Sequence, residues 1–248
     1  MSVEFYELNL SLQEYLYFQE CPQKFRIHRL LNPVPYKMSF ESHNYSLEQY
    51  RLRGYNDTFL EGIEMHEFFK NFHETYKLSI ISNKFPEILS NNKAKSIYWF
   101  IQRDRFHQLE NKNLWAPFKS EFKIMSEKQR GSIDCLEFCS RDENFSLLDY
   151  KRKPYTNDKE LLLFYLVLLQ DYIIENDLDI PEISLIGCYY YETGRYRTFN
   201  INEDEIQFFN KKLDKIRQDI LEVNLEFKEN NCINCRYTDI CKIEQLRT

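Results

Sequence analysis

The order of periodicities along the chain predicts an α/β fold built on a mixed sheet flanked by helices. Strand-like alternation runs through residues 120–124, 131–139 and 145–151, and helical spacing brackets that block on both sides. A second strand pair, 183–191 with 195–201, follows one helix and precedes another.

The elements follow in order. Ser11-Leu12-Gln13-Glu14 reads as a capping box, in which a hydroxyl and a carboxylate satisfy free amides at a helix start. Pro22 interrupts or restarts that helix. Residues 33–56 are polar and aperiodic, a long loop or insertion, and Gly62 to Tyr76 is helical. The strand block comes next, then an apolar helix from Asp158 to Ile174 that must be buried on the sheet. The second strand pair turns at Thr193-Gly194. Asn202 caps the last long helix, whose apolar face is Ile206, Phe209, Leu213, Ile216 and Ile220.

With 248 residues, 43% of them apolar, the chain has material for one cored domain. Its longest apolar run, Leu161 to Leu169, falls short of the roughly 20 residues that span a bilayer. Its first residues lack a secretory pattern, so the expected setting is cytoplasmic with no membrane contact. A net charge of −6 means that any basic surface is local. No G-x-x-x-x-G-K-[ST] loop is present, which removes a P-loop motor. Seven cysteines, an odd number in a reducing compartment, point to packing or metal rather than to disulfides.

The chemistry concentrates in one hairpin. Centred between Arg141 and Asp142, it sets Asp134 opposite Asp149, with Lys151 on the same face and Tyr150 on the other. Two close carboxylates that stay ionised need a cation, and hard divalent ions take oxygen ligands. Such an ion polarises a phosphodiester and acidifies water, while an ammonium stabilises developing charge. By spacing alone, the three residues read equally as solvated strand charges. A lone histidine such as His66 reads by itself as an ordinary helix residue.

Taken together, Cys21-Pro22-Gln23-Lys24-Phe25, Gly62-Ile63-Glu64-Met65-His66, Gly131-Ser132-Ile133-Asp134, Asp149-Tyr150-Lys151 and Cys232-x2-Cys235-x5-Cys241 resemble the RecB-like branch of the PD-(D/E)XK nucleases. In particular they resemble CRISPR-associated exonucleases of the Cas-four type and the AddB nuclease domain. The resemblance implies a restriction-endonuclease-like sheet with a terminal iron–sulfur subdomain. It implies one domain over 1–248, with 1–35 and 225–248 joined by the cluster and 36–60 a loop insertion. His66, Asp134, Asp149 and the Tyr150 carbonyl would hold Mg²⁺ or Mn²⁺, and Asp134, Asp149 and Lys151 would carry catalysis. One departure is Leu161, which stands where the family has a glutamine four residues before a tyrosine, here Tyr165.

Four thiolates hold either zinc or a [4Fe–4S] cluster, and spacing does not separate the two. The resemblance favours iron–sulfur on Cys21, Cys232, Cys235 and Cys241. Cys135, Cys139 and Cys188 lie in strand patterns and read as core. Arg130, Arg152 and Lys153, beside the hairpin in sequence, are the expected phosphate contacts. The expected function is DNA hydrolysis, exonucleolytic or on single strands, in CRISPR adaptation and antiviral defence or in recombination and repair. The expected partners are DNA that is single-stranded or has free ends, and a CRISPR integrase or recombination proteins. The competing reading is a DNA-binding adaptor that cleaves poorly.

Overall fold

The computed structural model describes residues 9–31, 57–75, 116–139, 144–180, 183–222, 235 and 237–245. A short strand β1 (Leu10–Ser11) leads into helices α1 (Leu12–Glu20) and α2 (Pro22–Leu31). Helix α3 (Asp57–Thr75) precedes strands β2 (Ala116–Met125), β3 (Gln129–Cys139) and β4 (Asn144–Lys151). Helix α4 (Asp158–Glu175) then crosses to β5 (Ile183–Tyr190) and β6 (Arg195–Phe199), and helices α5 (Glu203–Leu221) and α6 (Thr238–Gln245) follow. None of the described helices is long and apolar enough to cross a membrane.

The six strands form one mixed sheet in the order β1-β3-β4-β5-β6, with β2 also paired to β3. Because β2 runs antiparallel along most of β3, the other edge of β3 is shared by β4 and the parallel stub β1. Strand β5 runs parallel to β4, the arrangement that a crossover helix such as α4 permits. The expected α/β mixed sheet is therefore present.

Local signals explain the boundaries. Ser11 and Asn202 both form complete capping boxes, with Glu14 and Glu205 as reciprocal partners. The β5–β6 turn ends at Gly194, whose φ of 66° suits a residue without a Cβ. Helix α3 begins five residues before Gly62, so residues 57–60, expected at the end of a loop insertion, are helical. The remainder of that expected insertion, 36–56, lies outside the described residues.

Side chains from alternate positions of the sheet feed two cores. On one side Leu136, Leu147 and Ile186 meet Leu162, Leu166 and Leu169 of α4, and Tyr15, Phe209 and Leu213 pack against the same cluster. On the other, Cys135, Leu148, Tyr150 and Tyr189 meet Met65, Phe68 and Phe69 of α3. Helix α4 is apolar nearly all round because it lies within this first core, and each fully buried leucine contributes about 1.5–3 kcal/mol.

Candidate active site

The β3–β4 register pairs Cys135 with Leu148, which puts Asp134 and Asp149 opposite each other one step on. The expected hairpin centre is thus the observed one. Both aspartates are only 7% exposed, whereas a solvated strand face would leave them open. The cover comes from neighbouring elements: α4 lies close enough that a Cβ on Gly131 would meet Tyr165 Cε1 at 3.2 Å. Glycine at 131 lets that helix approach.

Asp134 Oδ2 accepts the Tyr150 backbone N–H at 2.7 Å, and Asp134 Oδ1 lies 3.4 Å from His66 Nδ1. The same His66 nitrogen lies 3.1 Å from Glu121 Oε1. Lys151 Nζ pairs with Asp149 Oδ2 at 2.6 Å. Tyr150 turns its ring the other way, stacking 4.3 Å from Phe69. Three elements thus converge: α3 supplies His66, β2 supplies Glu121, and the β3–β4 hairpin supplies the aspartates and the lysine.

Electrostatics follow from this crowding. Burial, reinforced by the charges of Asp149 and Glu121, pushes the Asp134 carboxyl well above the usual range, against the opposing pull of His66. Burial alone would lower the His66 pKa, but Asp134 and Glu121 outweigh it and carry it to about 10. Burial likewise disfavours the Lys151 ammonium, yet Asp149 beside it raises the pKa. The cluster therefore has an excess of carboxylate and draws in protons or cations.

Whether these groups fit a divalent ion can be judged from their spacing. Neighbouring ligands about 2.1 Å from one octahedral ion sit about 3.0 Å apart. The 3.1 and 3.4 Å separations around His66 are close to that value, and His66, Glu121 and Asp134 offer ligand atoms all within 4.8 Å of one another. The carboxylate oxygens of this set suit Mg²⁺ or Mn²⁺.

Residues 9–242 match the model of the PD-(D/E)XK nuclease superfamily. The chain belongs to that superfamily. Within the matched range, Asp149-Tyr150-Lys151 has the D-x-K spacing that the family's name describes. Members of the superfamily are nucleases that use divalent ions such as Mg²⁺ or Mn²⁺.

Two side chains near the centre were not among the expected site residues. Glu121 belongs to none of the quoted motifs, yet β2–β3 pairing sets it opposite Asp134, since Ser120 faces Cys135 and Phe122 faces Ile133. It also has a φ of 49°, a strained value for a non-glycine residue that only a surrounding scaffold maintains. Tyr165 faces the cluster as well: burial first, then the charges of Asp149, Asp134 and Glu121, push its hydroxyl pKa well up. Leu161, one turn before it, is buried in the core.

Among the basic residues expected at phosphates, Arg130 has other partners. Its guanidinium binds Asn9 Oδ1 at 3.0 Å and Glu14 Oε2 at 3.1 Å, and its side chain is 13% exposed. Arg29 holds the other Glu14 oxygen at 2.6 Å. Arg130 thus ties β3 to Asn9 and to Glu14 of α1. Arg152 pairs with Glu192 at 3.2 Å and approaches Glu61 at 3.7 Å, while Lys153 is exposed.

The two ends of the described chain do meet. Helix α6 packs on α2, and His28 Nδ1 lies 2.9 Å from the Tyr237 hydroxyl. Cys21 is buried, and Cys235 and Cys241 are half-buried, none of the three in a disulfide; Cys232 lies outside the described residues. Cys135 and Cys188 are fully buried strand residues, whereas the side chain of Cys139 lies outside the described residues.

Proposed function

We propose that this chain is a metal-dependent deoxyribonuclease that hydrolyses phosphodiester bonds in DNA that is single-stranded or has free ends. The observation that carries this reading is the convergence of His66, Glu121 and Asp134 beside the Asp149–Lys151 pair, in a chain of the PD-(D/E)XK superfamily.

His66, Asp134, Asp149 and the Tyr150 carbonyl are the proposed ligands, and Glu121 adds a further carboxylate. When bound, a divalent ion supplies Lewis-acid polarisation of the phosphodiester and lowers the pKa of water. The residues of the chain do the rest. Asp134 is oriented by the Tyr150 amide, and Lys151 directs its ammonium towards the reacting phosphate, where it stabilises developing negative charge. Arg152 and Lys153, just beyond β4, are the proposed phosphate contacts.

The narrower reading adds a [4Fe–4S] cluster on Cys21, Cys232, Cys235 and Cys241, and with it the RecB-like subtype. It draws support from the docking of α6 on α2, which brings the cysteine-bearing ends of the chain towards each other. An intracellular role in CRISPR adaptation or in recombination and repair rests on the resemblance alone. The buried Leu161 favours the competing reading, a subunit that binds DNA without cutting it. One assay separates the two: nuclease-free preparations should cut end-labelled single-stranded DNA with Mg²⁺ or Mn²⁺, and Asp149→Ala should not. Tight DNA binding without cutting by the wild type would establish the adaptor.

A further inference from the structure

Outside the cluster itself, the most unusual polar group on the α4 side of the sheet is Asp158. It is 1% exposed at the start of α4, and its two oxygens are treated unequally. Oδ2 accepts the Tyr190 hydroxyl at 2.7 Å and the Tyr155 backbone N–H at 2.9 Å. Oδ1 is buried and has no hydrogen-bond partner among the described residues. An unpaired buried acceptor costs about 1–3 kcal/mol, and more on a charged group. The Tyr190 and Tyr155 bonds account for the first oxygen and leave the second unaccounted for.

The surroundings of that second oxygen point to a cation. Strand β5 pairs Tyr190 with Lys151 and Cys188 with Asp149, so the four side chains share one face of the sheet. The Tyr190 hydroxyl therefore holds Asp158 beside the column that carries Lys151. The charge of Asp158 is felt at both Lys151 and Cys188. Lysine has three donors on a flexible four-carbon stem, so its ammonium can serve more than one acceptor. Its partner here is Asp149, the carboxylate that the reading above assigns to the divalent ion. Once that carboxylate is shared with a dication, the ammonium is repelled from it and needs another anchor.

We propose that Asp158 is the positioning residue for Lys151, its unpaired oxygen holding the ammonium whenever Asp149 is engaged by a divalent ion. The inference rests on the metal-dependent reading of the site. It makes the lysine a two-station group. Paired with Asp149 it neutralises that carboxylate, and anchored to Asp158 it is held over the sheet face beside the metal ligands. Asp158 touches neither metal nor substrate, so its effect passes entirely through Lys151.

The test uses the full chain, Mg²⁺ and Asp158→Asn, which keeps an acceptor for Tyr155 and Tyr190 but replaces the unpaired oxygen with an amide donor. Lysine-selective ¹⁵N spectroscopy follows the Lys151 ammonium, assigned by its loss in Lys151→Arg. In the wild type that resonance should shift on adding Mg²⁺ and stay sharp; in Asp158→Asn it should broaden away. The kcat on single-stranded DNA should fall about 10- to 100-fold, with KM and Mg²⁺ affinity by calorimetry held within about twofold. A variant that cleaves at the wild-type rate, or whose Lys151 resonance responds to Mg²⁺ as the wild type does, overturns the proposal. So does a rate loss matched by an equal loss of Mg²⁺ affinity, the mark of a distorted site. Should Asp158→Asn not fold, Tyr190→Phe frees the carboxylate from one tether and should show the same changes at smaller size; an unchanged resonance and rate there overturn the proposal too. A wild type that binds no Mg²⁺ and leaves DNA intact removes the metal reading itself, a result distinct from any of these.

Discussion

Glu121 faces Asp134 across the β2–β3 pair, and one oxygen of each lies within 3.4 Å of the same His66 nitrogen. Two carboxylates share a nitrogen this closely only where positive charge balances them, whether a proton on the imidazole or a cation among the three groups. The raised His66 pKa, about 10, is the protonated version of that balance. Binding of a divalent ion should therefore release a proton.

The first prediction follows directly. Glu121→Gln preserves shape and removes one charge, so Mn²⁺ affinity measured by calorimetry should drop about tenfold or more, with the fold unchanged by circular dichroism. Equal affinity in the two proteins would remove Glu121 from the ligand set.

Lys151 and Asp149, 2.6 Å apart, should separate binding from chemistry. Asp149→Ala deletes a ligand and should weaken Mn²⁺ binding together with cleavage. Lys151→Ala removes a cation that competes for Asp149, so Mn²⁺ should bind as tightly or more tightly while cleavage falls about 100-fold or more. Weaker metal binding in Lys151→Ala would mean that the lysine supports the site structurally.

What could be read from the sequence was what is local. Capping boxes at Ser11 and Asn202, the apolar α4 and the Asp134–Asp149 pairing each depend on spacing within one or two elements. The same centring argument, applied to the turn at Glu127-Lys128, sets Glu121 opposite Asp134, whereas the apolar alternation of the strand by itself does not single out that residue. Arg130 was beyond such reasoning. Its partner Glu14 is 116 residues away, and nothing local to a basic residue beside the hairpin announces that ion pair. Burial of the aspartates was equally non-local, because it depends on α4 closing over Gly131.

The Glu14 knot gives a pH prediction. Burial alone would raise its pKa, but Arg29, Arg130 and the Ser11 amide together bring it below the ordinary glutamate value. A folded-state pKa below the unfolded one contributes stability above the unfolded value, about 4.3, and loses it as pH falls through the folded value. Glu14→Gln should thus be less stable than the wild type near pH 7 by about 3–5 kcal/mol, since two guanidinium groups lose their shared carboxylate. The gap should narrow as the pH drops below about 4. Urea denaturation at several pH values gives the difference, and a gap that stays constant to pH 3 would show that Glu14 ionisation does not stabilise the fold.

The cysteines provide the last prediction. If Cys21, Cys232, Cys235 and Cys241 hold a [4Fe–4S] cluster, anaerobically purified protein is brown, absorbs broadly near about 400 nm and carries about four irons per chain. Cys21→Ala should lose the colour as completely as Cys235→Ala, because a cluster needs all four thiolates. Cys135→Ala and Cys188→Ala should keep it, since both side chains are fully buried in strands of the sheet, each within a hydrophobic core. Helix α6 packs on α2, and Tyr237 just before it meets His28, independently of any cluster, so the cysteine variants should stay folded with a lowered Tm. A colourless protein with one zinc would keep the four-cysteine site and refute iron–sulfur. A full complement of iron in Cys21→Ala would break the proposed link at its N-terminal end, leaving the α2–α6 contact as the tie between the two ends of the fold.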